Sequence, residues 1–239
     1  MRAHVEHEFR RYLECGILGH GFARARCGHD LPIAYSCKGR GVCPACNARR
    51  MVETAAHLTD HVIPRLPVRQ WVLSVPKRLR YYLHSNPGVQ TLALHIFLSA
   101  VEQGLRRCSP GAGPASRIGA VAFIHGFGAL LNAHVHFHCV VAEGVFEADG
   151  AGGARFHAAR GVGPEIIADI QAKVRARLLR ALARRALIER EDAEAMGAWD
   201  HGGGFSLDAT VRIEAHDRHG LERLLRNSRP AGLRAGTAA

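Results

Sequence analysis

The segment AHVHFHCVVA, residues 133–142, alternates apolar side chains with imidazoles from Ala133 to Cys139 and is apolar from there to Ala142. Successive side chains of a strand point to opposite faces, so His134, His136 and His138 share one face. Val135, Phe137, Cys139 and Val141 take the other. The apolar set suits a layer of helices, and the three imidazoles are left on an open face. This strand therefore asks for a two-layer fold in which one side of a sheet is bare.

The surrounding sequence supplies the rest of that sheet. VRQWVLSVP (68–76) alternates through Trp71, Leu73 and Val75, as a strand does. Asn86-Pro87 opens a long helix with Leu94, Leu98, Val101 and Leu105 on one stripe. SPGAGPAS (109–116) breaks the pattern. IGAVAFIH (118–125) is apolar on both faces, as a central strand would be, and a short strand fits 154–157. Gly163-Pro164 starts a helix to about Ile188, with Ile167, Ile170, Val174, Leu178 and Leu182 inward and Lys173, Arg177, Arg180 and Arg184 outward. TVRIEA (210–215) reads as a last strand, followed by a short helix near Leu221–Arg226. Strand, helix, strand, strand, helix, strand is the order of a ferredoxin-like, split βαβ antiparallel sheet, so the fold class is α+β.

Function is expected on the bare face. A single strand histidine is ordinarily a solvated or hydrogen-bonded residue, and three in alternation carry more weight. Same-side neighbours lie about 7 Å apart in Cα, so two imidazoles can converge on one cation. Imidazole suits Zn, Mn, Co, Ni or Fe, and with a carboxylate or amide beside it also Mg or Mn. Spacing does not fix a third ligand; His125 on the preceding strand is the nearest candidate.

The first fifth of the chain has a different character. Five of the seven cysteines, Cys15, Cys27, Cys37, Cys43 and Cys46, fall there, in a stretch rich in Gly and Arg. Cys43-Pro44-Ala45-Cys46 has the spacing of a zinc knuckle, in which two thiolates share one tetrahedral ion. A redox C-x-x-C would need a thioredoxin-like βαβ setting, which this segment lacks. A metal cross-link is the usual remedy for a module too small to bury a core. The expected division is a zinc-binding module at 9–48, a sheet domain at 49–227 and a short irregular tail at 228–239.

Charge narrows the partner. Lys and Arg number 32 against 21 Asp and Glu, a formal charge of +11. Such a balance favours a polyanion and gives a hydrolase of small molecules no reason for its surface. No stretch of about 20 apolar residues and no leader pattern is seen, so the expectation is a cytoplasmic protein with reduced cysteines. Arg40, Arg49 and Arg50 flank the knuckle and suit phosphate contacts, or form a solvated basic surface. Lys77, Arg78 and Arg80 precede Tyr81 and Tyr82, a basic-aromatic cluster able to stack on single-stranded bases unless the tyrosines cap the core. The basic face of the helix at 164–188 could follow a phosphate backbone or a partner subunit.

Four blocks carry a resemblance: YSCKGRGVCPACNARRM, VRQWVLSVPKRLR, AVAFIHGFGALLNAHVHFHCVV and EAMGAWDHGGGFS. They resemble the IS91-like transposases, rolling-circle insertion-sequence enzymes with an N-terminal zinc-binding domain. The likeness runs from about Phe9 to about Arg226. His-hydrophobe-His in the middle strand also looks like the HUH endonucleases. The resemblance implies that a tyrosine attacks a phosphodiester to form a 5′-phosphotyrosine link, with a divalent ion such as Mg²⁺ or Mn²⁺ polarising the phosphate. It matches His134 and His136 to the metal-binding pair, with His138 as a further ligand or support. Asn132 just outside is a substrate-orienting residue or, more simply, a turn residue. Relatives carry a second C-x-x-C upstream, where this chain has only Cys27 before Gly28-His29-Asp30. The implied zinc set is then Cys27, Cys37, Cys43 and Cys46, with Cys15 and His29 in reserve.

One element of that chemistry is missing. The tyrosines are Tyr12, Tyr35, Tyr81 and Tyr82, all before His134. The relatives resemble LERLLR followed by a tyrosine, where this chain has Asn227 and then a Gly- and Ala-rich stretch. An amide is no substitute for an ionisable hydroxyl. The sequence therefore predicts DNA and metal binding without a phosphotyrosine adduct, as in a truncated transposase. A catalytically silent DNA-binding remnant or regulator is the alternative, and Tyr81 or Tyr82 the rival nucleophile.

Overall fold

The computed structural model describes residues 3–20, 22–26, 30–35, 43–127, 133–150 and 152–228. They fall into two compact units. One runs to Val62 and takes in the residues from Glu222 on; the other spans Ile63–Leu221.

In the first unit, α1 (Ala3–Glu14) precedes a hairpin of β1 (Phe22–Arg26) and β2 (Asp30–Ala34), paired antiparallel from Phe22 opposite Ala34 to Arg26 opposite Asp30. Neither α1 nor the hairpin is evident from periodicity. Next comes α2 (Pro44–His57), closing in a π turn at Leu58–Val62. It begins at Pro44, which occupies its first turn. Proline is at home there: its φ is preset and its missing N–H would have no partner in the helix.

The second unit holds β3 (Val68–Ser74), α3 (Lys77–Ser85), α4 (Pro87–Arg107), β4 (Ala120–Phe127) and β5 (Ala133–Ala142). A separate hairpin of β6 (Gly144–Ala148) and β7 (Ala154–Ala158) follows, then α5 (Pro164–Arg184) and α6 (Arg190–Ala198). The strands β8 (Ser206–Asp208) and β9 (Arg212–Ile213) lead to α7 (Arg218–Ser228). The sheet order is β4-β5-β3-β8, with β9 also pairing β3, and every pairing is antiparallel. Two crossovers interleave in that order, β3 to β4 through α3 and α4, and β5 to β8 through α5 and α6. This is how a split βαβ sheet is threaded. The fold is thus α+β with an antiparallel sheet, and β3 and β5 lie at its centre. The expectation that 118–125 is a central strand does not hold: β4 stands at the end of the sheet, and its described side chains are only half-buried.

Burial in β5 alternates from His134 to Cys139, beyond which Val140, Val141 and Ala142 are all buried. Val135, Phe137, Cys139 and Val141 are fully buried, and His134, His136 and His138 are half-buried. The buried set joins Trp71 and Leu73 of β3, Phe97 and Val101 of α4, and Ile170, Val174 and Leu178 of α5 in one core. Within α4 the buried stripe runs Val89, Ala93, Phe97, Val101 and Leu105, and Leu94 and Leu98 only flank it. The Asn86 side chain caps this helix by accepting from the N–H of Gly88 at 2.9 Å and of Val89 at 3.3 Å.

The helices α4 and α5 meet closely at Gly104, where a Cβ would stand 2.4 Å from Ile170 Cδ1. Gly104→Leu is therefore expected to cost about 1–3 kcal/mol by overpacking, read as a lower urea midpoint at unchanged slope. Between α6 and β8 the chain turns through three left-handed glycines, Gly202, Gly203 and Gly204. A Cβ on Gly203 would meet the Met196 carbonyl at 2.9 Å. Behind them the Arg175 guanidinium donates to the carbonyls of Met196, Gly197 and Trp199 at 2.6–2.7 Å. That clamp aims the chain into β8.

Where β5 passes to β6, the buried Glu143 accepts from Arg69 of β3 at 2.5 Å and pairs with Arg212 of β9. Arg69 also donates to the Ala209 carbonyl at 2.7 Å. One carboxylate thus ties three strands together.

Candidate metal centres

Two groups of side chains among the described residues could hold a metal ion, one in each unit. In the first unit these are Cys15, Cys43 and Cys46, whose sulfurs all lie within 4.8 Å of one another. Cys43 sits just before α2 and Cys46 in its first turn, closed by the Asn47 N–H donating to the Cys43 carbonyl at 3.0 Å. Cys15 follows α1. Its sulfur is 3.5 Å from that of Cys43 and 3.7 Å from that of Cys46.

A tetrahedral zinc at about 2.3 Å from each thiolate sets sulfurs about 3.8 Å apart. The cluster already has that spacing. The positive end of α2 favours thiolates at Cys43 and Cys46. The structure thus places Cys15, held in reserve on sequence grounds, beside the knuckle pair. Cys27, Cys37, His29 and Arg40 lie outside the described residues. Cys139, in contrast, is buried in the sheet core, and burial pushes its thiol up to about 12.

The second group is His125, His136 and His138, each offering a ring nitrogen within 4.8 Å of the others. His136 and His138 stand on the open face of β5. His125 of β4 lies directly opposite His136, with ring centroids 4.8 Å apart, and 4.4 Å from that of His138. His134 is outside the group, so the cluster is shifted one step along β5 from the pair His134 and His136 that the family resemblance implies. Pairing explains the shift: His125, the one histidine of β4, faces His136 and stacks near His138 rather than His134.

Hydrogen bonds orient the rings. His136 Nδ1 lies 2.7 Å from the His134 carbonyl. A carbonyl only accepts, so Nδ1 carries the proton and the Nε2 lone pair is free to bind a cation. His138 Nδ1 lies 3.1 Å from Gln70 Nε2 of β3. Burial first, and then the neighbouring His125 and His136, push the His138 ring down to about 4. His134 is also lowered, by burial, by Arg80 and by His136. His134 Nε2 is buried without a hydrogen-bond partner. Rings kept neutral are the form that binds metal.

Between pH 6.5 and about 4 the unfolded chain takes up a proton at residue 138 and the folded chain does not. Stability is therefore full above 6.5 and is lost as the pH falls towards 4, by about 1–3 kcal/mol. Thermal unfolding from pH 7 to 4 should show a shallower loss in His138→Phe than in the parent.

The basic candidates are dispersed. Arg49 pairs with Glu53 at 2.8 Å on exposed α2, and Arg50 lies on the same helix. Arg78 pairs with Asp192 at 2.5 Å, Lys77 is exposed, and Arg80 Nε donates to the Val75 carbonyl at 3.1 Å. Tyr81 is 73% exposed, whereas Tyr82 packs on the core. On α5, Lys173 is bound to Asp169 and Arg177 to Gln103, leaving Arg180 and Arg184 as the exposed cations of that face.

Gln70 was missed from sequence, although the alternation that buries Trp71 and Leu73 places Gln70 on the histidine face. Among the described residues no helix is long and apolar enough to cross a membrane.

Comparison with known families gives two matches. Residues 1–75 match the model described as "Transposase zinc-binding domain", of IS91 type. Residues 119–231 match the model described as "Putative transposase". The first contains the cysteine cluster and the second the histidine cluster. No curated protein matches, and no solved structure matches.

Proposed function

We propose that this chain, which belongs to the IS91-like transposases, binds single-stranded DNA at its element's ends through an HUH-type sheet. Its zinc-binding domain acts as a structural DNA-contacting module. The observation that carries this reading is the convergence of His125, His136 and His138 on the open face of the central strands. A divalent ion such as Mg²⁺ or Mn²⁺ bound there would supply Lewis-acid polarisation of a phosphodiester.

The chain's own residues do the rest. His136, its Nδ1 proton held by the His134 carbonyl, offers a fixed lone pair. Arg80, oriented by the Val75 carbonyl, and exposed Lys77 provide cations for the phosphate backbone, and exposed Tyr81 a face on which a base can stack.

Two outcomes test binding. Affinity for a single-stranded oligonucleotide should fall at least tenfold between 50 and 200 mM salt, since counterions are released in proportion to the phosphates neutralised. Flat affinity over that range would contradict DNA binding through these cations. His136→Ala with His138→Ala should abolish Mn²⁺ binding at the sheet and leave zinc content unchanged.

Asn227 favours a second reading for this polypeptide. It lies on α7, at the position where the family resemblance expects a tyrosine. The chain is then a DNA- and metal-binding remnant or regulator that does not nick DNA by itself. With end-containing single strands and Mg²⁺ or Mn²⁺, no covalent adduct should form. An adduct lost in Tyr81→Phe or Tyr82→Phe would overturn this second reading and identify the nucleophile.

A further inference from the structure

We infer that Trp199 is a base-stacking platform for single-stranded DNA, working beside the basic segment 77–80 of α3. The inference rests on the reading that the chain binds single-stranded DNA through its sheet unit.

A lone apolar residue at the surface is ordinary. Trp199 differs in how it is held and in what stands beside it. It is 45% exposed, whereas the other tryptophan, Trp71, is fully buried in the core. Its backbone is fixed from α5: Arg175 donates to its carbonyl at 2.7 Å and to those of Met196 and Gly197 before it. The far side of the turn is fixed from the same helix, as Gln171 donates to the Phe205 carbonyl at 3.2 Å and accepts from the Leu207 N–H at 3.0 Å. Three of the five residues between Trp199 and Phe205 are glycines, which offer no side chain to cover the ring. An exposed indole on a backbone already ordered loses little conformational freedom when a base settles on it.

The fold brings this platform to α3. Asp192 of α6 pairs with Arg78 at 2.5 Å, and a Cβ on Gly204 would stand 3.3 Å from Pro76, the residue before Lys77. The same stretch of α3 presents exposed Lys77 and Tyr81. Register ties the turn to the histidine face: Ser74 of β3 lies opposite His136 on one side and opposite Ser206 on the other. Two strand spacings put Ser206 about 10 Å from His136. The turn therefore enters the sheet at the level of the cluster. Cations for the phosphates with aromatic faces among them make a sequence-tolerant site for a single strand. Charge favours DNA on the ring over a second copy of this chain, since copies carrying +11 each repel.

An oligothymidylate of about 16 nucleotides is the probe. Saturating the full chain with it should quench the emission of Trp199 and shield it from acrylamide, and Trp71 lies out of reach of both. Trp199→Ala should bind the probe about 5–100-fold more weakly, the effect of losing one stacked base. Its salt slope should match the parent's, because the indole carries no charge. Trp199→Phe keeps an aromatic face and should recover most of the loss. Thermal unfolding checks that both variants fold. Unchanged emission in the DNA-saturated parent, or an alanine variant that binds as tightly as the parent, would overturn the inference. So would an alanine variant altered only in self-association by sedimentation, which would put a second copy on the ring. A parent that binds no single strand at all would remove the DNA reading itself, and this inference with it.

Discussion

Replacing Cys43 and Cys46 together by serine should remove zinc from the chain and unfold the elements around it. The parent should carry about one zinc per chain. Structural zinc in small modules contributes about 10–16 kcal/mol, more than such a module's core can replace. Among the described residues the cluster's buried apolar company is slight: Cys43 and Cys46 themselves, with Cys15 packed on them. Cys15→Ser alone should lower zinc affinity by at least a hundredfold, because its sulfur already sits 3.5 and 3.7 Å from the other two, the spacing of thiolates around one zinc. Metal analysis and chelator competition read both outcomes. The sheet unit has a core of its own and should keep its cooperative unfolding in these variants. Purified protein with no zinc and three freely reactive thiols at these positions would refute the site.

The second large effect lies at Glu143. Glu143→Gln should destabilise the sheet unit by about 3–5 kcal/mol, because removing one partner leaves a buried charge uncompensated. Arg212 is partly exposed and can turn to water, but Arg69 is only 12% exposed and would face a neutral amide and the Ala209 carbonyl in place of a carboxylate. Replacing the pair together, as Arg69→Met with Glu143→Leu, should cost less than Glu143→Gln alone. That result would show that the carboxylate offsets a desolvation penalty rather than adding stability of its own. Urea unfolding of the three proteins gives the comparison.

Legibility from sequence followed the length and regularity of each element. β5 could be read from its alternation, which runs without a break from Ala133 to Cys139. Asn86-Pro87 announced α4 because cap and first-turn proline are local chemistry. β8 could not be read, because three residues show no period and only pairing with β3 makes them a strand, and of the strand expected at 210–215 only Arg212–Ile213 pairs, as β9. α3 was obscured because KRLRYYLHS buries only Leu79 and Leu83, so its charges and tyrosines dominate the pattern. In the sites, Cys43 and Cys46 were evident from spacing. Cys15 was not, because it lies 28 positions before Cys43 in the chain. Which histidines converge was likewise a matter of pairing, since His125 meets β5 at His136.

The threading of the sheet has a consequence for synthesis on the ribosome. β3 is complete once Ser74 has emerged, and β5 can cover one of its edges when residue 142 follows. The other edge waits for β8 and β9, roughly 130 residues after β3. At the 5–20 residues per second of translation, that edge stands unpaired for roughly 7–26 seconds. An open strand edge is a template for pairing with another nascent chain. Slower translation between residues 142 and 206 should therefore lower the soluble yield of this protein, and a co-expressed holdase chaperone should restore it.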